Sequence, residues 1–511
     1  MVAAEFTPPR LIEFQLDGAA LACVRRHMLA AWDTGTGKSG LALGAACMAL
    51  QDGTDIVIIV CEPNKIAEWV ADLGIFTTIR PEDIAVYHGP RRSGLLASLP
   101  AVLITTYDII RQDGALVAGP RKMTDGPLLD ALAGLDVMVV YDEISILGNR
   151  GSRRYRAHHH FLERLRARGS TRRLGLTATP VETGYENLFS ELRLIVPQAM
   201  PMIKEFDKKV IAYRDPTRYY QAHYRPEGIT WFREICAPWI LRKRKTDPDV
   251  VEQFPPFTEK FILCPLHADQ KALYRRLEDL AWDESGSYQK VAGLAPLLRQ
   301  LAGDPLAVRE AAAHGDSALA CIMWEEMEPE LKGCSSGKAE ELVRQLEFIC
   351  GNGHKAIVFT FFAHTVLPAL AERLAGFSVF TYHGGMARGV QEQAKAGFLA
   401  APGAAVLLAS DAAARGINLP GIPYVIEYEA ARTHAIRTQR AGRAHRLGSG
   451  VPVTMITLVA EGTMEDARAI PRLLDRNEQQ DVILGDSGAE NYVTADDRRE
   501  MFARARRRKL S

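Results

Sequence analysis

No Cys-x-x-Cys pair occurs in the chain, and its eight cysteines (23, 47, 61, 236, 264, 321, 334, 350) lie far apart. That spacing excludes a zinc ribbon and outlines no disulfide framework; the thiols read as buried or idle in a reducing compartment. No apolar run reaches the ~18 residues of a membrane span, and no charged-then-apolar leader opens the chain. A cytoplasmic protein without a membrane partner is expected. Net charge is missing too, since 62 Lys+Arg balance 62 Asp+Glu. No global field attracts a polyanion, so any nucleic-acid surface must be a local patch. Short-period repeats and low-complexity tracts are absent as well. What remains is an ordinary globular composition, 47% hydrophobic and 24% charged, over 511 residues. That length divides into at least two domains.

What is present is alternation. "DIVIIVCEP" (55–63), "AVLITTYD" (101–108), "LDVMVVYDE" (135–143) and "RLGLTATP" (173–180) each hold an apolar core closed by a polar or turn residue. Strands of a buried parallel sheet look like this, with functional residues at their C-terminal ends. Helices are predicted after Lys38, after Pro63 and over 152–168. The second half repeats the theme in "KAIVFTFF" (355–362), "FSVFTYHGG" (377–385), "AAVLLASD" (404–411), "IPYVIEYE" (422–429) and "VTMITLVAEGT" (453–463). Between them, roughly 200–340 reads as helical and Pro-punctuated, with "KGCSSGKAEE" (332–341) as a linker.

"AWDTGTGKSG" (31–40) has a strand-like run before it and a helix-prone one after it, the context that makes a phosphate loop credible. Trp32 stands where the usual pattern has its first glycine. Gly35 and Gly37 let backbone N–H groups, including those of Thr34 and Thr36, close on phosphate oxygens, and the helix N-terminus adds positive charge. Lys38 would reach the β- and γ-phosphates, and the Ser39 hydroxyl would ligate Mg²⁺. About a hundred residues on, "VVYDEIS" (139–145) places Asp142 and Glu143 past an apolar strand. Asp142 suits a magnesium ligand; Glu143 suits the orientation and deprotonation of an attacking water. Together they indicate an ATP or GTP hydrolase.

Further stretches match in order: "FQLDG" (14–18), "PNKIAEWVADL" (63–73), "LITTYD" (103–108), "GLTATP" (175–180), "SDAAARGINLP" (410–420) and "QRAGRAHRLG" (439–448). The series resembles the superfamily-two helicases. "PWILRKRKTD" (238–247), "FPPFTEKFILCPLHADQKALYRRL" (254–277) and "LLRQLAGDPL" (297–306) narrow the resemblance to the Swi/Snf-type (SNF2-like) DNA translocases. It implies an α/β fold of two tandem RecA-like lobes with doubly wound parallel sheets and helical insertions. The implied segments are an ATP-binding lobe with a helical protrusion (1–250), a helical insertion and linker (251–337), a C-terminal lobe (338–475) and an extension with a basic tail (476–511).

By the same resemblance Gln15 would read the adenine edge, favouring ATP, and Gly416 would lie at the nucleotide. Arg443 and Arg446 would be arginine fingers, planar permanent cations that stabilise charge on the phosphoryl oxygens. Thr105, Thr106, Thr177 and Thr179 would contact DNA or couple it to nucleotide state. The chain departs from the family at Ile144 and Ser145, where Gly or Ala and then His are usual. It departs again in its Thr-Ala-Thr-Pro and in "SDAAARGINL", both of a strand-separating flavour.

The stretch 149–173 carries nine arginines and one acidic residue, Glu163. Arg150, Arg153 and Arg154 are candidate phosphate contacts, sequence-independent and salt-sensitive. The three histidines at 158–160 read as surface or DNA-proximal, because adjacent side chains on a helix cannot all face one metal ion. "LRKRK" (241–245) is expected near the lobe junction, as a DNA contact or a brace of the lobes. The expectation is a Mg²⁺-using, ATP-dependent double-stranded DNA translocase that displaces or remodels bound proteins. Abundant Arg and Ala point to a bacterial or phage enzyme, with any loading partner open. Strand-separating or branch-migrating helicases, and a nucleotide-gated DNA clamp, are the alternatives.

Overall fold

The computed structural model describes residues 11–117, 122–181, 184–215, 221–283, 288–315, 318–411, 419, 421–431 and 433–466. Gly416 and the extension 476–511 with its basic tail lie outside the described residues. Contacts divide the chain into two units, the first running to Glu252 and the second beginning at Gln253.

The first unit contains β1 (His27–Trp32), β2 (Ile56–Cys61), β3 (Ile84–Val86), β4 (Val102–Thr106), β5 (Ala115–Val117), β6 (Met123–Asp125), β7 (Val137–Asp142), β8 (Thr171–Thr177), β9 (Ile211–Asp215), β10 (Gln221–Tyr224) and β11 (Ile240–Lys243). Seven of these form one sheet in the order β11-β1-β8-β7-β2-β4-β3. Every pairing in it is parallel. β5–β6 and β9–β10 are separate antiparallel ribbons. The sequence of β2, Ile-Val-Ile-Ile-Val-Cys, is buried at every position. A strand apolar on both faces needs helices on both faces, which is why it lies inside a parallel sheet and not at the wet edge of an antiparallel one.

Register then gathers the strand ends. Ala31 lies beside Thr177, Asp142 beside Leu176 and Cys61 beside Thr106. The phosphate loop, the Asp-Glu pair, Thr105–Thr106 and the Thr-Ala-Thr-Pro segment therefore leave the sheet at its C-terminal edge, where open α/β sheets bind ligands. Helices α2 (Lys38–Gln51) and α3 (Ile66–Phe76) follow where expected, and a further helix, α1 (Glu13–Arg25), precedes β1.

The second unit contains β12 (Phe257–Pro265), β13 (Ala356–Thr360), β14 (Val379–Tyr382), β15 (Val406–Ser410), β16 (Tyr424–Glu427) and β17 (Val453–Glu461). They form a parallel sheet in the order β12-β17-β16-β13-β15-β14. Leu342, Leu346, Val366 and Leu370 cover one part of it, and Phe398, Leu419 and Ala444 another. The stretch read as helical is mixed: β9, β10 and β11 lie within it, and β12 lays nine residues along β17 as an edge strand. Half-exposed edge strands lack a long apolar run, so the pattern of β12 is muted. Beyond it the helices are real, packing through Leu277, Leu297, Leu301, Met323 and Leu331. No described helix is long and apolar enough to cross a membrane.

Candidate active site

The loop after β1 is shaped by two glycines in the left-handed region, Gly35 at φ 80° and Gly37 at φ 81°. At Gly37 the constraint is double, because a Cβ there would meet Gln15 Nε2 at 2.0 Å. No side chain caps the N-terminus of α2, so its first amides keep the character of an anion site. Lys38 Nζ folds back to donate to the carbonyls of Trp32 (2.9 Å) and Asp33 (3.1 Å), and Thr36 Oγ1 donates to Asp33 O (2.7 Å). Thr34 is buried, while Gly35 and Ser39 are half-buried at the mouth of the loop. Gln15 is buried and clamps the loop from α1: its Nε2 donates to Thr36 O (3.0 Å), and its Oε1 accepts from Ile12 N (3.2 Å). The amide expected to read adenine is thus engaged with the loop.

Trp32, the departure from the usual loop pattern, is wholly buried and packs 5.5 Å from the Phe14 ring. It closes on Gly18 of α1, where a Cβ would meet it at 2.8 Å. Asp33 ties the loop to β11. Arg242 binds its Oδ1 at 2.8 Å and the Lys245 amide binds Oδ2 at 3.0 Å. Burial works to raise this carboxyl, but Arg242 and that amide outweigh it and hold it below the usual carboxylate range. Lys243 pairs with Asp249 and Arg244 with Asp247. "LRKRK" is therefore a brace for the phosphate loop, its charges answered by three aspartates.

Asp142 ends β7 with its carboxylate Oδ2 accepting from Trp69 Nε1 of α3 at 2.9 Å. Its backbone carbonyl accepts from Tyr107 Oη at 2.7 Å. Burial pushes the carboxyl up; Lys65 opposes that, Glu143 adds to it, and Trp69 and Lys38 oppose it. Glu143 adopts φ 62°, ψ 56°, and among the described residues only Arg26 is another non-glycine with positive φ. Such a conformation costs about 1–3 kcal/mol and persists where neighbours impose it. Here the Tyr107 tether and the Ile146 amide on Glu143 O (3.1 Å) do so. Ile144, where the family has a small residue, is buried against Gly175: a Cβ at 175 would lie 3.1 Å from Ile144 Cδ1. Ser145 is half-buried, and its carbonyl accepts from the Gly148 amide at 2.9 Å.

The donor set suits magnesium. No group of three His, Cys, Asp or Glu among the described residues could hold a metal ion on its own. A hydroxyl (Ser39) and one carboxylate (Asp142) are what a cation needs when phosphates and waters supply its remaining ligands.

In the second unit the helix His434–Ala441 carries Arg437 and Arg440 inward. Arg440 is wholly buried between Glu427 (3.0 Å) and Asp411 (2.6 Å), and Arg437 pairs with Glu259 at 2.9 Å. These pairs position the following turn, where Arg443 and Arg446 lie. Each holds its Nε on a carbonyl four residues earlier, Gln439 O at 3.1 Å and Gly442 O at 2.9 Å. His445 stacks on Phe257 at 4.8 Å and bonds Pro255 O, joining the turn to β12.

The expected DNA residues are less open than their sequence suggests. Thr105, Thr106, Thr177 and Thr179 are all buried. Thr105 Oγ1 donates to Tyr87 O (3.0 Å), while Thr106 Oγ1 accepts from Ile109 N and Thr177 Oγ1 from Thr179 N (3.1 Å). Arg150 binds Asp207 and Arg154 binds Asp108, whereas Arg153 is exposed and pairs with no carboxylate among the described residues. Arg164 and Arg168 bind Asp125, Arg166 binds Glu163, Arg172 binds Asp52, and Arg173 is buried. Apart from Glu163, the partners come from distant parts of the chain, so a local charge count overstates the basic face. His158 corrects the surface reading of the histidines. It is wholly buried, with Nδ1 3.0 Å from Tyr141 Oη and Nε2 3.0 Å from Tyr107 O. Burial pushes it down to about 3.

Sequence reasoning assigned no role to Trp69, Tyr107, Asp33, Arg437 or Arg440. Trp69, Tyr107 and Arg440 carried a signal, each as part of a segment already matched to the family.

This chain is similar to several known proteins. Residues 24–305 match the SNF2-related domain and residues 337–448 the helicase conserved C-terminal domain. One relative is the probable ATP-dependent DNA helicase CHR12 of Arabidopsis thaliana, 26% identical over 66% of this chain and 30% of that protein. Another is the putative ATP-dependent helicase/translocase YwqA of Bacillus subtilis, 21% identical over 86% of this chain and 44% of that protein. This chain thus spans less than half the length of either. Among solved structures, the Pyrococcus furiosus Hef helicase domain aligns with TM-score 0.53 and 16% identity, covering 88% of this chain and 96% of that one. The Sulfolobus solfataricus SWI2/SNF2 ATPase core in complex with dsDNA gives TM-score 0.40 and 20% identity over 95% and 94%.

Proposed function

The chain belongs to the SNF2-related family, and from that premise we propose that it is an ATP-dependent double-stranded DNA translocase that displaces or remodels protein–DNA complexes. One observation carries the reading. The register brings the phosphate loop, Asp142–Glu143 and Thr177 to the same edge of a parallel sheet, within a segment matching that family's domain. The ATP-dependent DNA motors among its relatives support the class.

In the proposed cycle Gln15 recognises adenine after yielding its loop contact, and the amides of Thr34, Gly35, Thr36 and Gly37 cradle the phosphates. Lys38 exchanges its two carbonyl partners for phosphate oxygens. Ser39 and Asp142 would hold Mg²⁺, which supplies charge neutralisation at the β- and γ-phosphates. Glu143 orients a water and takes its proton as the water oxygen bonds to the γ-phosphorus. The bond from that phosphorus to the bridging oxygen breaks, and ADP departs. Arg443 and Arg446 stabilise the charge on the phosphoryl oxygens, and Gly416 belongs to the nucleotide-responsive set.

For DNA, Arg153 is the readiest phosphate contact, and Arg150 and Arg154 would trade Asp207 and Asp108 for phosphate. The hydroxyls of Thr105, Thr106 and Thr177 are engaged internally. The strand-end backbone at 105–106 and 177–179 is therefore the proposed DNA-facing group there. Contacts of this kind read no bases.

Displacement of a triplex-forming third strand by the protein and ATP, with no release of a labelled strand from a forked duplex, is the expected behaviour. Release of the forked strand without a trapping protein would favour the strand-separating alternative, to which Thr-Ala-Thr-Pro and "SDAAARGINL" lean.

A further inference from the structure

Trp69 lies on α3, is 2% exposed, and is one of the two buried side chains of that helix, with Leu73. A buried indole N–H needs an acceptor, and a backbone carbonyl would serve for packing alone. Here the acceptor is Asp142 Oδ2, at 2.9 Å. Lys65, which precedes α3, carries the cation that acts most strongly on the same carboxyl, while pairing with Glu68. The start of α3 therefore delivers both a fixed N–H and a positive charge to one carboxylate. α3 also packs against α2, whose first residues are Lys38 and Ser39.

We propose that Trp69 is a positioning residue for the magnesium site: its indole N–H immobilises Oδ2 of Asp142, so that Oδ1 would be the oxygen that ligates the cation. This rests on the nucleotide reading of the preceding section. The Tyr107 hydroxyl on the Asp142 carbonyl completes the support, one tether on the side chain and one on the backbone. An indole is a donor only, so the contact favours a single carboxylate rotamer and one ligating oxygen. Partners of this kind around a metal-binding carboxylate are worth roughly 10–100-fold in metal affinity or activity.

The test uses Mn²⁺ as the spectroscopic probe and ADP as the nucleotide. Binding of Mn²⁺ to the full chain with ADP is measured by electron paramagnetic resonance, and ADP binding without metal by calorimetry. Trp69→Phe keeps the aromatic packing and removes the N–H. It should weaken Mn²⁺ about tenfold or more while leaving metal-free ADP affinity within about twofold. In the unsubstituted protein labelled with ¹⁵N at indole nitrogens, the Trp69 N–H resonance should move when Mg²⁺ is added to the ADP complex. This second readout holds even where the variant folds poorly. Unchanged Mn²⁺ affinity in Trp69→Phe, or an indole resonance indifferent to Mg²⁺, overturns the positioning role while ADP binding stands. Failure of the unsubstituted protein to bind ADP overturns the nucleotide reading and this proposal with it.

Discussion

Arg440 and Glu427 meet at 3.0 Å with both side chains closed off from solvent. Glu427 also accepts from Thr457 Oγ1 at 2.8 Å, so the pair is stitched to β17. Removing Glu427 leaves the buried Arg440 with Asp411 as its one remaining carboxylate, and Glu427→Ala should cost about 1.5–3 kcal/mol for the lost charged hydrogen bonds. Glu328→Ala, which breaks the exposed pair with Lys332, should cost within about 0.5 kcal/mol. Thermal unfolding of the two variants against the parent chain checks the contrast. Equal melting temperatures would show that the network does not hold the Arg443–Arg446 turn.

Gly37 and Gly53 both have positive φ, 81° and 92°. A Cβ at 37 strikes the Gln15 amide at 2.0 Å, whereas one at 53 meets nothing within 4 Å. Gly37→Ala should therefore abolish ATP turnover. Gly53→Ala should lose only about 1–2 kcal/mol of stability from its left-handed backbone and keep full turnover. Steady-state ATPase assays of both variants separate steric from conformational cost.

Arg443→Ala should lower ATP turnover by roughly a thousandfold or more with nucleotide affinity nearly intact, as expected of a group acting on the transition state. Paired measurements of kcat and of binding of a fluorescent ATP analogue report on this. A large loss of affinity with normal residual turnover would reassign Arg443 to ground-state binding.

Much of this was legible in the sequence because buried parallel strands are written as short apolar runs with chemistry at their ends. β2 and β7 are of this kind, and Asp142 lies where β7 stops, while Lys38 opens the helix after β1. The rest depends on partners far apart in the chain. The arginines of 149–173 look like one basic face until Asp52, Asp108, Asp125 and Asp207 arrive from elsewhere. His158 looks exposed in a run of three histidines, yet the helical period turns it inward onto Tyr107 and Tyr141. β12 hides behind two prolines and an edge strand's weak pattern. The left-handed backbone of Glu143 has no sequence signature, and the Tyr107 hydroxyl bonded beside it comes from just past the end of β4.

Acid should destabilise the first unit in a particular window. Burial holds His158 at about 3, and burial with Arg173 and Arg26 holds His27 at about 4. Both ionise near 6.5 when unfolded, so below that pH the unfolded chain binds more protons and stability falls as pH falls. Each group contributes a slope of up to about 1.4 kcal/mol per pH unit between its two values. Denaturant midpoints from pH 7.5 to 4.5 should decline, and His158→Gln should flatten that decline. A variant with the parent's slope would show that His158 does not carry it.

The central claim, an ATP-fuelled motor on duplex DNA, is tested most directly by the steady-state rate of ATP hydrolysis with no nucleic acid, with duplex DNA, with single-stranded DNA and with RNA. Duplex DNA should raise the rate above all the others. Equal stimulation by single strands, or a preference for RNA, would contradict the claim.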